Sequence, residues 1–302
     1  MVNIILGAVS LGLLWAIMTT GVFLTYRVLD YADLSVEGSI VMGAAIVAKL
    51  ITSGVNPVLA TAVAFAGGLA AGVVTGLLNT KLKIPSLLAG ILTMIALYSI
   101  NIRIMGKANI TLLKSETVFT MAEAIGLKGN IGVIVLAVII NAAIAAVLYW
   151  FFGTELGCAV RATGDNEKMA RAQGINTDTM KILALALSNG LVALSGALIA
   201  QDQSYADVSM GQGAIVIGLA SVIIGEVLFY RSSFLNRLIA VVLGAVVYRI
   251  IIALVIEMGM NPTDLKLFTA ITVAICLSLP TFQGQIKAFF AKLMPNKNKE
   301  VK

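Results

Sequence analysis

The sequence has no histidine, only two cysteines and few charged side chains among its 302 residues. The lack of histidine excludes catalytic triads that depend on an imidazole base, and it excludes most zinc sites. Cys158 and Cys276 are far apart and not at the spacing of metal ligands, so we interpret both as apolar side chains in or beside membrane helices. No G-x-x-x-x-G-K-[ST] run occurs, so a nucleotide site of that kind is not expected. We therefore expect no catalytic residue, metal or cofactor on this chain.

Hydrophobic residues make up 59% of the sequence and charged residues 12%, against about 25% charged residues in an ordinary soluble domain. Apolar runs of about 20 residues, the length that crosses a bilayer, recur along the chain. Because lipid offers no partner to backbone polar groups, we predict an all-α polytopic membrane protein, one domain over 1–302, with about eight full spans plus re-entrant or broken helices. The nine apolar runs are 4–29, 36–50, 57–79, 85–105, 132–152, 179–200, 213–229, 235–256 and 264–280.

Basic residues predict the orientation, because loops rich in lysine and arginine stay in the cytoplasm. The segments 106–130 and 257–264 are expected outside. The net charge of +6 indicates a cytoplasmic C-terminus near the anionic headgroups of a bacterial inner membrane, with no nucleic-acid partner. The four groups expected inside are Lys81 and Lys83; Arg161, Lys168, Arg171 and Lys181; Arg231 and Arg237; and a tail with Lys287, Lys292, Lys297, Lys299 and Lys302.

An internal repeat is the most informative pattern in the sequence. YADLSVEGSIVMG begins at Tyr31, and YADVSMGQGAIVIG begins 174 residues later at Tyr205; a looser pair sets Tyr98 opposite Tyr248, 150 residues later. Because the offsets differ by about one helix, we predict that 36–50 is re-entrant and that both halves run in the same direction, with both Asp motifs toward the outside. The alternative is an inverted repeat in which 36–50 crosses and the amino terminus lies outside.

The predicted divisions of the domain follow from this repeat. The first repeat covers about 4–153 and the second about 179–284. A cytoplasmic segment at about 155–178 separates them, and a basic tail at 285–302 follows.

Polar side chains within or beside the apolar runs are candidates for a transport pathway. A charge at membrane depth is costly, so such groups normally face water or a partner. In the alternative interpretation, the two aspartates cap helices at the membrane interface and the following serines complete a turn. The predicted pathway residues are Asp33, Ser35, Glu37, Asp207, Ser209 and Gln212.

The longest polar stretch between confident spans on the expected cytoplasmic side is CAVRATGDNEKMARAQGINTDTMK, from Cys158. We predict that Gly164 breaks the preceding segment and that Asp165 caps a short helix running to Arg171 or Gln173. Gly174 is expected to end that helix in the left-handed conformation, after which Asn176 or Thr177 caps the next membrane helix. The alternative is an ordinary basic loop.

Three motifs in order resemble the permease subunits of bacterial ABC importers that serve branched-chain amino acids, ribose and other sugars, and nucleosides. RATGDNEKMARAQGIN followed by LSNGLVALSGAL resembles their cytoplasmic coupling segment; the motif at Asp33 and Ser35 resembles a second signature, and GQGAIVIGLASVIIGE from Gly211 a third. In that family the short cytoplasmic helix lies in a groove on an ATP-hydrolysing subunit. The coupling residues that the resemblance implies here are Gly164, Asp165, Glu167, Lys168, Met169, Ala170, Arg171, Gln173 and Gly174.

Spacing suggests how the short helix would meet its partner. Met169, Ala170 and Gln173 are predicted to share one face, with Met169 as the plug for the groove. Glu167, Lys168 and Arg171 would supply polar contacts.

The resemblance implies the permease of an importer for a small solute, expected to be an amino acid, aromatic or branched-chain. The implied partners are two ATP-binding subunits that hold ATP and Mg²⁺, an extracytoplasmic substrate-binding protein, and a second permease chain, expected as a homodimer. The alternative function is an ion-coupled secondary transporter, which shares duplication and intramembrane carboxylates. An intramembrane hydrolase using Ser188 or Ser195 is disfavoured, because no histidine and no assignable lysine could act as base.

Overall fold

The structure is a computed structural model that describes residues 2–113, 115–124, 126, 129–229, 233–258, 267–271 and 273–274. It is a helical bundle with one two-stranded ribbon at one end. The elements are α1 (Val2–Phe23), continued by one stretch of π-helix (Leu24–Val28), α2 (Val36–Thr52), α3 (Pro57–Thr80), α4 (Ser86–Met105), β1 (Asn109–Thr111), α5 (Val118–Ala124), α6 (Gly129–Gly153), α7 (Glu155–Asp165), α8 (Glu167–Ala172), α9 (Thr177–Gln203), β2 (Tyr205–Asp207), α10 (Ala214–Phe229) and α11 (Phe234–Glu257).

Within the described part of the chain, six helices are long and apolar enough to cross a membrane. They are α1 with its π-helical end, α3, α4, α6, α9 and α11, and each lies within a few residues of a predicted run. The count is below the predicted eight partly because α10 has 16 residues. Most of the run 264–280 lies outside the described residues, as do Cys276, Arg231, most of the turn 257–264 and the lysine tail.

Helix α9 lies at the centre of the bundle, where small residues allow close packing. A Cβ atom added to Gly43 of α2 would overlap the carbonyl oxygen of Ala193, and one added to Gly196 would overlap the carbonyl oxygen of Ile40. On α3, a Cβ on Gly72 would overlap the Leu185 carbonyl. Glycine at these positions lets helix backbones approach directly, which is the usual basis of helix association in membranes.

The prediction that the two halves of the chain run in the same direction is wrong. Ser188 Oγ of α9 donates to the Gly21 carbonyl at 2.7 Å, and Ser195 Oγ donates to the Leu14 carbonyl at 2.8 Å. Residue numbers therefore rise along α9 as they fall along α1, so the two helices are antiparallel. Each precedes one Asp motif, so the motifs follow helices that run in opposite directions. This is the geometry of the inverted alternative.

The prediction that 36–50 is re-entrant is also wrong. Helix α2 begins beside Asn189, which lies midway along α9. Ser39 Oγ of α2 donates to Asn189 Oδ1 at 2.6 Å. It ends with Ile51 in a cluster that contains Ala200 and Ala206, near the C-terminal end of α9. The chain therefore leaves α1 at one end of the bundle and reaches the other end through α2. The extended residues before α2 cover the remaining depth.

The two ends of the bundle differ in charge. The described basic residues that were expected inside lie at the end that carries α8: Lys81 and Lys83 follow α3, whose Gly76 packs on Ile182 near the start of α9. The opposite end holds α5 and the ribbon, in which Asn109 pairs with Asp207 and Thr111 with Tyr205. Such short strands give little signal in a sequence, and the ribbon was not predicted.

Candidate functional site

The first Asp-x-Ser motif forms a buried turn before α2. Asp33 is only 3% exposed. Its Oδ1 accepts hydrogen bonds from the backbone N–H of Ser35 at 2.9 Å and from Ser35 Oγ at 2.5 Å. The carboxylate therefore holds the chain that leads into α2, which agrees with the local turn of the capping alternative, although at depth within the bundle and not at its surface.

Asn189 of α9 completes this site, and sequence reasoning missed it. Its Nδ2 donates to Asp33 Oδ2 at 2.8 Å, while its Oδ1 accepts from Ser39 at 2.6 Å and Ser35 at 3.1 Å. All four side chains are buried. The only signal was one asparagine, beside the smaller Ser188, within the small-residue helix LSNGLVALSGAL. The network connects the two halves of the chain and leaves no open path at Asp33.

The second motif forms the same turn in a different environment. Asp207 Oδ1 accepts from the backbone N–H of Ser209 at 2.7 Å and from Ser209 Oγ. Its Oδ2 accepts from Asn109 Nδ2 of the paired strand at 3.2 Å. The residue is partly exposed, at the end of β2. Hydrogen bonding, first from the Ser209 hydroxyl and less from its N–H and from Asn109, holds the pKa of Asp207 below its ordinary value.

A cavity of about 350 Å³ brings together other predicted pathway residues. It lies between α2, α4 and the turn before α10. Glu37 and Gln212 line it, whereas Asp33, Ser35, Asp207 and Ser209 do not. Glu37 also accepts a hydrogen bond from the Gly213 N–H at 3.0 Å, at the start of α10. Helices α2 and α10, which each begin after a non-helical turn and are called the interrupted helices, therefore meet at this carboxylate.

The polar segment from Cys158 contains the predicted short helix, α8, with two corrections. Gly164 does not break the preceding helix, because α7 continues to Asp165 and a Cβ on Gly164 would overlap the Val28 carbonyl. Asp165 is not the cap, because Asn166 Oδ1 accepts from the Met169 N–H at 3.0 Å.

The other local predictions for this segment are confirmed. Gly174 has φ of +83°, in the left-handed region. Asn176 caps α9 by accepting from the Thr179 N–H at 3.2 Å.

Salt bridges hold α8 against the start of α9. Glu167 pairs with Lys181 at 2.8 Å and with Arg171 at 3.0 Å, and Arg171 also pairs with Asp178 at 2.8 Å. The hydrogen bond from Lys181 is the main reason that the pKa of Glu167 lies below its ordinary value. The polar contacts of Glu167 and Arg171 are therefore made within the chain, and this network orients α8.

The outward face of α8 differs from the predicted one. Met169 is 51% exposed, whereas Ala170 is 1% exposed and packs inward. Gln173, one turn after Met169, is also exposed, as are Lys168 and Asp165. Ala170 therefore cannot share the presented face, which Met169 and Gln173 form at i, i+4 spacing.

Ser188 and Ser195, considered for a hydrolase, are fully buried and donate to backbone carbonyls of α1. They serve helix packing. Glu226 of α10 forms a bidentate pair with Arg27 at 2.6 and 2.8 Å. This pair joins α10 to the end of α1.

Membrane-length helices, two helices that begin after non-helical turns, and a cavity where these helices meet define a polytopic membrane protein of the transporter class. The sequence matches, over residues 4–277, the family described as branched-chain amino acid transport system / permease component. The chain belongs to this family, whose members are transport subunits and not enzymes.

Curated relatives agree with this assignment. The chain is 43% identical to the tyrosine transport system permease protein of Clostridioides difficile, over 98% of this chain and 99% of that one. It is 32% identical to an uncharacterised protein of Rickettsia prowazekii, over 91% and 97%. It is 26% identical to the ribose import permease protein RbsC of Escherichia coli K12, over 80% and 74%. No solved structure matches the chain.

Proposed function

We propose that this chain is the membrane-spanning subunit of an ATP-driven, binding-protein-dependent importer of an amino acid. It works with two copies of an ATP-binding subunit, which hold ATP and Mg²⁺, an extracytoplasmic substrate-binding protein and a second copy of itself. The observation that carries the proposal is the geometry of α8, a short helix fixed by salt bridges that presents an exposed methionine away from the bundle. A basic loop without a partner has no need of this arrangement.

Contacts connect α8 to the interrupted helices. Helix α7, which leads into α8, packs through Gly164 on Val28 and Leu29 at the end of α1. The next residues of the chain form the Asp33 turn and then α2. A pull on α8 when the ATPase closes would therefore act on the turn before α2 and on the cavity at Glu37. This is a rocking mechanism between helix groups, as expected for alternating access.

The orientation follows from the same assignment. The end with α8 and most described basic residues lies in the cytoplasm, because basic loops stay inside. The amino end of α1 and the ribbon then lie outside, where a substrate-binding protein docks. The predicted cytoplasmic C-terminus remains part of the proposal.

The proposed solute is an amino acid, with an aromatic one such as tyrosine as the first to test. The support is the relative named for tyrosine transport, which matches almost the full length at 43% identity. The ribose permease matches a smaller share at 26%. The cavity is also largely apolar, with Val41, Met94 and Ile95 in its wall.

Met169→Asp tests the role of α8. If Met169 fills an apolar groove on the ATPase, a carboxylate placed there loses its water without gaining a partner, at a cost of about 3 kcal/mol or more. Affinity for the ATPase should then fall by at least about 100-fold. Folding should be unaffected, since exposed substitutions usually change stability by less than about 0.5 kcal/mol. The measurements are ATPase pull-down and ATP hydrolysis stimulated by loaded binding protein in liposomes.

Met258→Asp is the matched control. Met258 is 86% exposed and follows α11 at the opposite end of the bundle, so the same change there should leave ATPase binding intact. Normal binding and normal stimulation with Met169→Asp would contradict the coupling role of α8.

A further inference from the structure

The cavity beside Glu37 has a polar side as well as an apolar wall. It is lined by residues of both halves, with Glu37 and Gly38 from α2, Tyr98 and Asn101 from α4, and Gln212 from the second motif. Because the two interrupted helices meet there, the cavity lies where transporters of this architecture expose backbone and polar groups to a solute.

Asn101 is the unexpected member of this lining. It is 1% exposed, and its Nδ2 donates to the Gly38 carbonyl at 3.1 Å. That bond assigns the amide, because a carbonyl can accept only from the NH₂ group. The other atom, Oδ1, is therefore an acceptor, and it has no hydrogen-bond partner among the residues that the structure describes. Asn101 lines the cavity, and buried polar atoms are normally paired, so its unpaired acceptor leaves a place for a donor that the described residues do not supply.

Glu37 supplies a second acceptor. One carboxylate oxygen receives the Gly213 N–H. Among the described residues that line the cavity, Glu37 is the only charged one, and no lysine or arginine is present. The site is therefore suited to a cation with several N–H donors, and it is unsuited to a phosphate or an isolated carboxylate.

We propose that Glu37 and Asn101 form a subsite for the protonated amino group of the solute, while Val41, Met94, Ile95 and the Tyr98 ring line the space for its side chain. This inference rests on the proposed function as an amino-acid importer and adds the group of the solute that is recognised. An ammonium group offers three donors, which matches one charged and one neutral acceptor. A sugar has no positive charge to pair with Glu37.

The test uses the complete transporter in proteoliposomes, with saturating binding protein and labelled tyrosine, phenylalanine or leucine. Glu37→Gln removes the charge but keeps an acceptor for the Gly213 N–H, and Asn101→Leu removes the unpaired acceptor. The readout is the number of solute molecules imported per ATP hydrolysed. Both variants should lower this ratio about tenfold, the loss expected for one charge-assisted hydrogen bond.

Asn141→Leu is the control for structural damage. Asn141 is also a buried membrane asparagine, and its Nδ2 donates to the Leu13 carbonyl at 2.9 Å, but it does not line the cavity. Loss of packing lowers transport and hydrolysis together, so this variant should keep the wild-type ratio.

A wild-type complex that imports no amino acid with ATP overturns the proposed function and the subsite with it. If the wild-type complex imports and both cavity variants keep its ratio, the subsite alone is overturned.

Discussion

The two Asp-x-Ser motifs adopt the same turn in opposite surroundings. In each, the aspartate Oδ1 accepts from the backbone N–H and the hydroxyl of the serine two residues later. Asp33 is enclosed in the bundle and bonded to Asn189 of the central helix, whereas Asp207 lies partly exposed beside Asn109 of a surface strand. The local sequence therefore determines the turn, and helix packing determines what the carboxylate meets.

The different surroundings of the two aspartates change their functional interpretation. The sequence treats them as equal pathway candidates, but neither lines the cavity at which α2 and α10 meet. The residues that do reach it, Glu37 and Gln212, lie four and five positions after their aspartates. In each half, the Asp-x-Ser turn thus places a polar residue that follows it, Glu37 or Gln212, at the cavity where α2 and α10 meet.

The largest expected difference between the motifs is the side of the membrane from which each is reached. In a background without Cys158 and Cys276, single cysteines at Asp30 and Tyr205 flank the two motifs, and both positions are exposed. Because α1 and α9 are antiparallel, we expect Asp30→Cys to react with an impermeant maleimide only in inside-out vesicles. Tyr205→Cys should react only in intact spheroplasts. The permease is expressed without its ATPase, so that no partner covers Asp30.

Labelling of both cysteines from the same side would contradict the antiparallel arrangement of α1 and α9 and support the parallel repeat. Lys168→Cys on α8 serves as an internal reference for the cytoplasmic side, because Lys168 is exposed.

The next difference is in stability. Asp33→Ala leaves Asn189 Nδ2 and the Ser35 N–H without their acceptor in a buried site, at about 1–3 kcal/mol for each donor. Asp207→Ala exposes the equivalent groups to water, so its cost should stay below about 1 kcal/mol. Thermal unfolding of the purified permease in detergent measures both. Equal shifts for the two variants would show that Asp33 is better solvated than its packing indicates.

The sequence predicts the spans well because each is a long apolar run with one stable solution in lipid. The six membrane-length helices begin and end within a few residues of their predicted positions. The left-handed Gly174 and the Asn176 cap follow from local chemistry and are likewise confirmed. These features depend on neighbours along the chain.

Features that depend on tertiary contacts were predicted less well. Asp165 and Asn166 can both cap a helix, and the choice depends on Gly164 remaining helical where α7 meets Val28. The direction of the repeat was inferred from residue offsets, which cannot distinguish a crossing helix from a re-entrant one. Asn189 and Asn101 are asparagines in largely apolar helices, and only the packing shows what each one contacts.

The smallest expected difference is in the response to pH at the exposed motif. The pKa of Asp207 lies below its ordinary value, chiefly because of the Ser209 hydroxyl, so the charged carboxylate stabilises the folded state. For an acid with a lowered pKa, that stability is fully present above the unfolded pKa, and it is lost as the pH falls through the folded pKa. At pH 7 we expect the free energy of unfolding of the wild type to exceed that of Asp207→Asn by less than about 0.5 kcal/mol, since solvent screens a partly exposed group. The difference should vanish below the folded pKa, where the carboxyl is protonated and neutral like the amide.

Ser209→Ala should remove most of this stabilisation by the Asp207 charge already at pH 7, because the substitution deletes the main donor. Unfolding temperatures of the three proteins across this range provide the measurement. A gap between wild type and Asp207→Asn that does not narrow in acid would mean that the charge is not the source, and that the turn at Asp207 depends on the shape of the side chain alone.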